Sequence, residues 1–259
     1  MARNVTNGRF MVAERNQLLV AREKEVEALI NAHLDKVADE IKRRFRPSAE
    51  FVIDEILEDY RKDIEVNIRS HMWYLGSHVG RLTINYLQER VALAKRSAAD
   101  IFEQALIQWL LEYAFSQSEI IVGSLKRLLT DELVKIQNDG AGEAEAARRL
   151  SEAANGSLSR SRAAAIARTE LHTAAEWGAY QAALATGLDM VKEWSATEDR
   201  RTRPDHANAD GQTIEMDAEF EVGDEHLFFP GDPKGSAGQI INCRCATLYW
   251  PRVGGEILK

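Results

Sequence analysis

From Ile53 the apolar positions run Ile53, Leu57, Tyr60, Ile64, Ile68, Met72, Leu75, Val79, Leu82 and Tyr86. Steps of three and four put them on one face of a long helix. Pro47 marks the break before it, because proline disfavours helix at the residue that precedes it. Upstream, VAERNQLLVAREKEVEALINAHLDKVADEIKRRF is a second amphipathic helix, rich in good helix formers. Downstream, SAADIFEQALIQWLLEYAFSQSEIIVGSLKRLLTDELVKIQ supplies one or two more. Strand-like alternation is absent from this whole region.

The texture changes at Asn138-Asp139-Gly140, a turn and helix-stop signal. A short helix follows around Ala144–Ala153, ended by Asn155-Gly156. Ser159 is placed to cap the next helix, expected from about Ser161 through Leu184 and stopped at Gly187. Beyond it MVKEWSA alternates as a strand does. A polar loop, TEDRRTRPDHANADGQTIEMD, follows with a hairpin signal at Asp210-Gly211. The remainder reads as short strands between Gly- and Pro-bearing turns. The pattern predicts an α+β protein: a helical region over 1–138, then a small domain over 139–259 with short antiparallel strands.

Composition narrows the function classes. At 259 residues the chain is long enough for one large or two modest domains with a real core. No run of about 18 uncharged apolar residues indicates a membrane span, and MARNVTNGRFMVAERNQ lacks the apolar stretch of a secretory signal. Two cysteines make no secreted disulfide framework. Together these predict a soluble protein made in a reducing cytoplasm. The net charge is −8, and residues 161–259 hold 10 Lys and Arg against 16 Asp and Glu. That balance argues against a protein built around sequence-independent DNA binding.

Four polar clusters in the second half could carry chemistry: Arg168-Thr169-Glu170, DRRTRPDH (Asp199–His206), FFPGDP (Phe228–Pro233), and Asn242-Cys243-Arg244-Cys245. Arg168 and Glu170 stand two apart on a helix and cannot face each other. Glu170 is thus free to reach an arginine of the DRRTR loop, in an ion-pair network tying helix to loop. Asp199, His206, Cys243 and Cys245 supply thiolate, imidazole and carboxylate, the ligand types of a tetrahedral zinc site. On a strand, a C-x-C pair points both sulfurs to one face. The same geometry suits two packed thiols, and the spacing differs from common zinc-finger patterns. A disulfide between them is poorly placed. His172 and His226 are further candidate ligands. No Walker or dinucleotide fingerprint occurs, and a Cys–His pair without a nucleophile turn makes a weak catalyst.

Taken in order, SLSRSRAAAIARTE, Trp194, DRRTRPDHANADGQ, FFPGDPKGSAGQ and IINCRC resemble the phage Mu F-like domain of minor head (head morphogenesis) proteins of tailed bacteriophages, over about Asp139–Pro251. The matched positions are Arg168, Thr169, Glu170, Asp199, Arg201, Arg203, His206, Asp210, Gly211, Pro230, Asn242, Cys243 and Cys245. The resemblance implies a structural minor capsid protein, not an enzyme, assembled in the host cytoplasm and residing in the virion near the portal vertex. It implies the portal protein as partner, then major capsid or scaffolding protein and packaged DNA, with no membrane. It supplies no reaction and leaves open whether zinc is bound. Toxin modules joined to related domains find no room after Pro251. The rival expectations are a metal-dependent or transferase-type effector, and a nucleic-acid binder using Arg200, Arg201 and Arg203.

Overall fold

The computed structural model describes residues 7–45, 50–91, 97–157, 160–197 and 199–259; the break at Pro47 and the cap at Ser159 lie outside them. Three long helices come first: α1 (Asn7–Arg44), α2 (Glu50–Arg90) and α3 (Ser97–Asp139). The stretch expected to hold one or two helices after α2 is thus a single one. All the periodic positions of α2 from Ile53 to Tyr86 are buried except Leu82, which is half-buried. Past Val79 the buried face steps to Thr83 and Leu87, because residues four apart stay closest to one side of a 3.6-residue helix.

α4 (Glu143–Ser157) and α5 (Arg160–Ala185) follow. Before α4, Gly140 takes φ 63° and its amide donates to the Gln137 carbonyl at 3.2 Å, the left-handed stop that glycine permits. α4 does not end at Asn155-Gly156 as expected. Its inward residues Ala146, Leu150 and Ala154 are buried at four-residue spacing, and that packing outweighs the roughly 1 kcal/mol a helical glycine costs. α5 ends at Ala185, two residues before Gly187, which has φ 65°.

The remainder is β1 (Met190–Ser195), α6 (Pro204–Ala209), β2 (Thr213–Glu215), β3 (Phe220–Val222), β4 (Glu225–Leu227), α7 (Ala237–Ile240), β5 (Ala246–Val253) and β6 (Glu256–Ile257). One sheet has the order β2-β1-β5-β6, and β3 pairs with β4 in a second; all pairings are antiparallel. The protein is α+β, as the pattern predicts. In β5 the first six residues are all buried, so both faces of this strand are covered and the alternation of a one-sided sheet is lost.

Two expectations about this region are corrected. β1 and β2 do pair, but Asp210-Gly211 is no tight hairpin between them, because α6 lies in the connection. The dipeptide instead turns the chain from α6 into β2: Gly211, at φ 75°, donates to the Trp194 carbonyl at 2.8 Å. The side chain of Asp210 accepts from the Ala196 amide at 2.7 Å. Likewise Cys243–Cys245 precede the strand rather than belong to it, since β5 starts at Ala246.

The chain forms two compact units. One comprises residues 1–23, 71–109 and 168–259, and the other residues 24–70 and 110–167. The division at 138 is one of character along the chain; these units are spatial. In the second unit Val26, Ile30, Leu34, Ile64, Ile68 and Leu125 are buried core. In the first, α5 is enclosed: Leu171 to Glu176 are buried without interruption. Its alanines allow close approach, and a Cβ built on Gly178 would stand 2.5 Å from the carbonyl oxygen of Gly76 on α2. Only glycine fits that crossing. Trp109 and Trp177 stack nearby, ring centroids 4.6 Å apart.

Candidate functional site

The site lies in the first unit, where α6, α7 and the segment before β5 meet. Pro204 opens α6, where its missing N–H is no loss. Two residues later His206 points into a core of Trp194, Ala209, Phe220, Val222, Leu227, Cys243 and Cys245. Its Nδ1 lies 3.3 Å from the sulfur of Cys245 and 3.7 Å from that of Cys243. The three atoms lie within 4.8 Å of one another, all three residues buried. This group could hold a metal ion.

On the far side of the ring, His206 Nε2 lies 3.0 Å from Gln239 Oε1, and Gln239 donates its amide N–H to Asp205 at 3.0 Å. Trp194 packs edge-on against the imidazole, at 5.4 Å and 90°. Both cysteines are free thiols. Cys245 is pulled below the usual thiol range by hydrogen bonding to Cys243 and then to His206, against the effect of burial. Cys243 is pushed up by the same contact and by burial.

Asn242 sets the approach of this segment. It has φ 59°, the one non-glycine residue with positive φ among those described, and asparagine is one of the few residues that tolerate it. Its backbone amide donates to Thr169 Oγ1 at 3.1 Å, and its side-chain oxygen accepts from Arg168 at 2.8 Å. Arg168 also bonds Glu23 of α1 at 3.1 Å. The Arg-Thr pair of α5 thus positions the C-x-C segment, a link between motifs 73 residues apart that spacing alone does not reveal.

The other expected residues are used locally. Asp199 is gripped by Arg244 of the segment before β5, with contacts of 2.6 and 2.9 Å, an ion pair between two loop segments and not the expected one between Glu170 of α5 and an arginine of the DRRTR loop. That guanidinium, then the Arg201 amide, holds the Asp199 carboxyl well below the usual carboxylate range. Asp199 is a partner of arginine and is outside the His–Cys–Cys group. Arg203 donates to the Ile241 carbonyl, Arg201 is exposed, and Glu170 is buried. Pro230 and Gly231 press on α5. Gly231, at φ 81°, leaves 2.8 Å between a built Cβ and the His172 ring, and Thr173 donates to its carbonyl at 2.9 Å. His172 is buried against this bend, while His226 is exposed on β4.

Three buried charged groups escaped the reading of the sequence. Arg15 of α1 pairs with Glu176 of α5 at 2.7 Å, both side chains almost fully buried. Arg15 also reaches His172 Nδ1 at 3.1 Å and the Cys245 carbonyl at 3.2 Å, and Glu176 accepts from the Thr247 amide at 3.0 Å. Met11, Arg15 and Leu19 are all buried, four residues apart; an arginine in an apolar register was the available signal. Burial, then the charge of Arg15, keeps the His172 ring well below its ordinary value and neutral. The third is Lys192, fully buried on β1, which donates to the Phe228 carbonyl at 2.9 Å and lies over the Tyr180 ring at 4.8 Å.

Burial pushes the Lys192 ammonium from 10.5 down to about 8, with Asp232 and Asp217 working against the fall. Between about pH 8 and 10.5 the unfolded chain then binds more protons than the folded one, so stability rises with pH across that window. The gain should be about 3 kcal/mol relative to Lys192→Met, at roughly 1.4 kcal/mol per pKa unit. Urea unfolding of both proteins at pH 8 and pH 10.5 measures it. Parallel pH profiles would count against a buried, charge-strained lysine.

Residues 129–248 match the family described as Phage Mu protein F like protein. Over this region the chain is similar to the phage Mu F-like family. Minor head protein GP7 of Bacillus phage SPP1 is 26% identical over 93% of this chain and 82% of its own length. The Enterococcus faecalis protein printed as NAD(+)--arginine ADP-ribosyltransferase EFV is 31% identical over 48% of this chain, but the match covers 26% of that protein. YqbB of Bacillus subtilis is 24% identical over 61% of the chain and 52% of its own length. The chain thus spans about a quarter of the second of these relatives and half of the third. No solved structure matches significantly. The family match and the similarity to GP7 over most of both lengths support a structural phage head protein. All the site residues above fall within or beside the Mu F-like region, except Arg15 and Glu23 on α1. Among the described residues no helix is long and apolar enough to cross a membrane.

Proposed function

We infer that the chain is a minor head protein of a tailed phage that joins the assembling head at the portal vertex and remains in the virion interior. The observation that carries this reading is the similarity to GP7 over 93% of the chain, which takes in the long helices as well as the Mu F-like region. The portal protein is the first partner, with major capsid or scaffolding protein and packaged DNA behind it. The helical region supplies the docking surface: Ile107, Leu111 and Phe115 of α3 are exposed at four-residue spacing, an apolar stripe of the kind a partner helix or groove accepts. Contact with DNA has less support. Arg203 and Arg244 of the basic cluster bond inside the protein, leaving Arg200 and Arg201 exposed.

Co-expression of the full chain with the portal protein of the same phage, followed by size-exclusion chromatography, tests the proposal. Co-elution is expected, and Leu111→Asp with Phe115→Asp should weaken it at least tenfold while the variant stays folded. Separate elution at micromolar concentrations would overturn portal docking. Deleting residues 1–138 would not be informative, because residues 1–23 and 71–109 share a compact unit with 168–259.

The effector reading rests on the EFV match alone, which reaches only 26% of that protein. Release of nicotinamide from NAD+ by the purified chain, with an arginine-like acceptor, would favour it over a purely structural role.

A further inference from the structure

We propose that His206 Nδ1, Cys243 Sγ and Cys245 Sγ bind one zinc ion with water as the fourth ligand, and that the ion fastens α6 to the segment before β5. The site is independent of portal docking. Zinc holds thiolate at about 2.3 Å and imidazole nitrogen at about 2.0–2.1 Å in a tetrahedron. Those bond lengths place nitrogen and sulfur about 3.6 Å apart. The two N–S separations here are 3.3 and 3.7 Å, so the ion fits with shifts of a few tenths of an ångström.

The polarity of the surrounding hydrogen bonds points the same way. The Asp205 carboxylate can only accept, so Gln239 presents its NH2 group to it and its carbonyl oxygen to His206. That oxygen also only accepts, so His206 Nε2 carries a proton and donates it. In the neutral ring, the Nδ1 lone pair then faces the two sulfurs. Fixing a ligating histidine through its other ring nitrogen is the usual outer support of a metal site. Gly223 belongs to this support, since a Cβ there would lie 2.7 Å from Asp205 Oδ2.

The donor set selects the ion. Two thiolates and an imidazole suit zinc over magnesium or calcium, which take oxygen. Two thiolates also neutralise the divalent charge inside a buried core. A cavity of about 10 Å³ adjoins all three ligands, bordered by Thr197, Thr202 and Arg203. That is room for one water and for no larger ligand, so the ion serves as a fastener. The segment is already gripped from outside: Arg203 bonds the Ile241 carbonyl and Arg15 the Cys245 carbonyl. Zinc would close it from within.

The test uses the full chain, purified without metal-affinity steps from zinc-supplemented medium. Elemental analysis should find about one zinc per chain, and thiol-specific mercurial titration should release it in step with modification of the two cysteines. Replacement by Co(II) should give the intense visible bands of a tetrahedral site together with thiolate charge-transfer absorption. Cys243→Ser with Cys245→Ser should lose the metal, but that variant also disturbs the core. Gln239→Leu keeps all three ligands, and should remain folded with zinc affinity about 10- to 100-fold weaker. Folded wild-type protein that carries no zinc, takes up none at micromolar concentration and gives no tetrahedral cobalt spectrum would overturn the proposal. So would zinc retained at full stoichiometry by the double cysteine variant.

Discussion

Replacing Arg15 by alanine is expected to destabilise the protein by about 3–5 kcal/mol, the cost of removing one partner from a buried ion pair. Three contacts are lost together: Glu176 at 2.7 Å, His172 at 3.1 Å and the Cys245 carbonyl at 3.2 Å. The larger penalty falls on what remains, a Glu176 carboxylate buried without its counter-charge. Burial already raises the Glu176 carboxyl despite Arg15, so in the variant it should take up a proton at still higher pH. The loss should therefore be smaller in acid, where the carboxyl is neutral, and greatest near neutrality. The double variant Arg15→Met with Glu176→Leu should recover much of the loss, because replacing a whole buried pair by apolar groups is often neutral or better. Denaturant unfolding of the three variants measures this. A loss below about 1 kcal/mol for Arg15→Ala would show that α1 is not anchored through this pair.

The second large effect is expected at Trp194, fully buried between His206 and Phe220. Trp194→Ala should cost about 3–5 kcal/mol, through lost burial and the cavity left behind. Trp194→Phe should cost much less than alanine. The indole nitrogen has no hydrogen-bond partner among the described residues, so phenylalanine gives up packing volume but no bond, and removes a buried polar group. Equal losses for the two variants would mean that the indole ring makes a bond as well as filling space. Because Trp194 fixes one edge of the His206 ring, the alanine variant should also expose Cys243 and Cys245 to thiol reagents in the metal-free protein.

These two positions differ in how visible they were. Trp194 stands out in a short alternating run, and a large aromatic there is a natural core residue. Arg15 lies in a helix full of charges, where one arginine among many suggests solvent. Only its register with Met11 and Leu19 hinted otherwise. Glu176 was harder still, since alanines surround it and give α5 no polar face to compare. Lys192 falls in the alternating run MVKEWSA, where a lysine reads as outward-facing. In the folded protein the ring of Tyr180 and the Phe228 carbonyl cover its side.

The C-x-C pair shows the same divide. Strand geometry predicts that both sulfurs face one side, and the sulfurs do converge, but by another route: an asparagine in the left-handed region before an irregular segment. His206 was legible as a companion by residue type. Gln239 was not, because an amide in a short helix carries no chemical signature until its partners are known. Asp199 shared the loop and the right chemistry, yet a nearer guanidinium took its carboxylate. Chain proximity ranked it with His206; spatial competition separated them.

By itself the sequence determined the long helices, the change of character near residue 138, the α+β class and the ordered motifs of a Mu F-like domain. These depend on short-range periodicity, on turn residues and on residue identity, all of which are properties of the linear chain. Only the tertiary structure decided which charges are buried, which arginine holds Asp199, and that Arg15 on α1 closes against Glu176 on α5. Those outcomes depend on desolvation and on competition among partners far apart in sequence, and neither exists until the chain has folded.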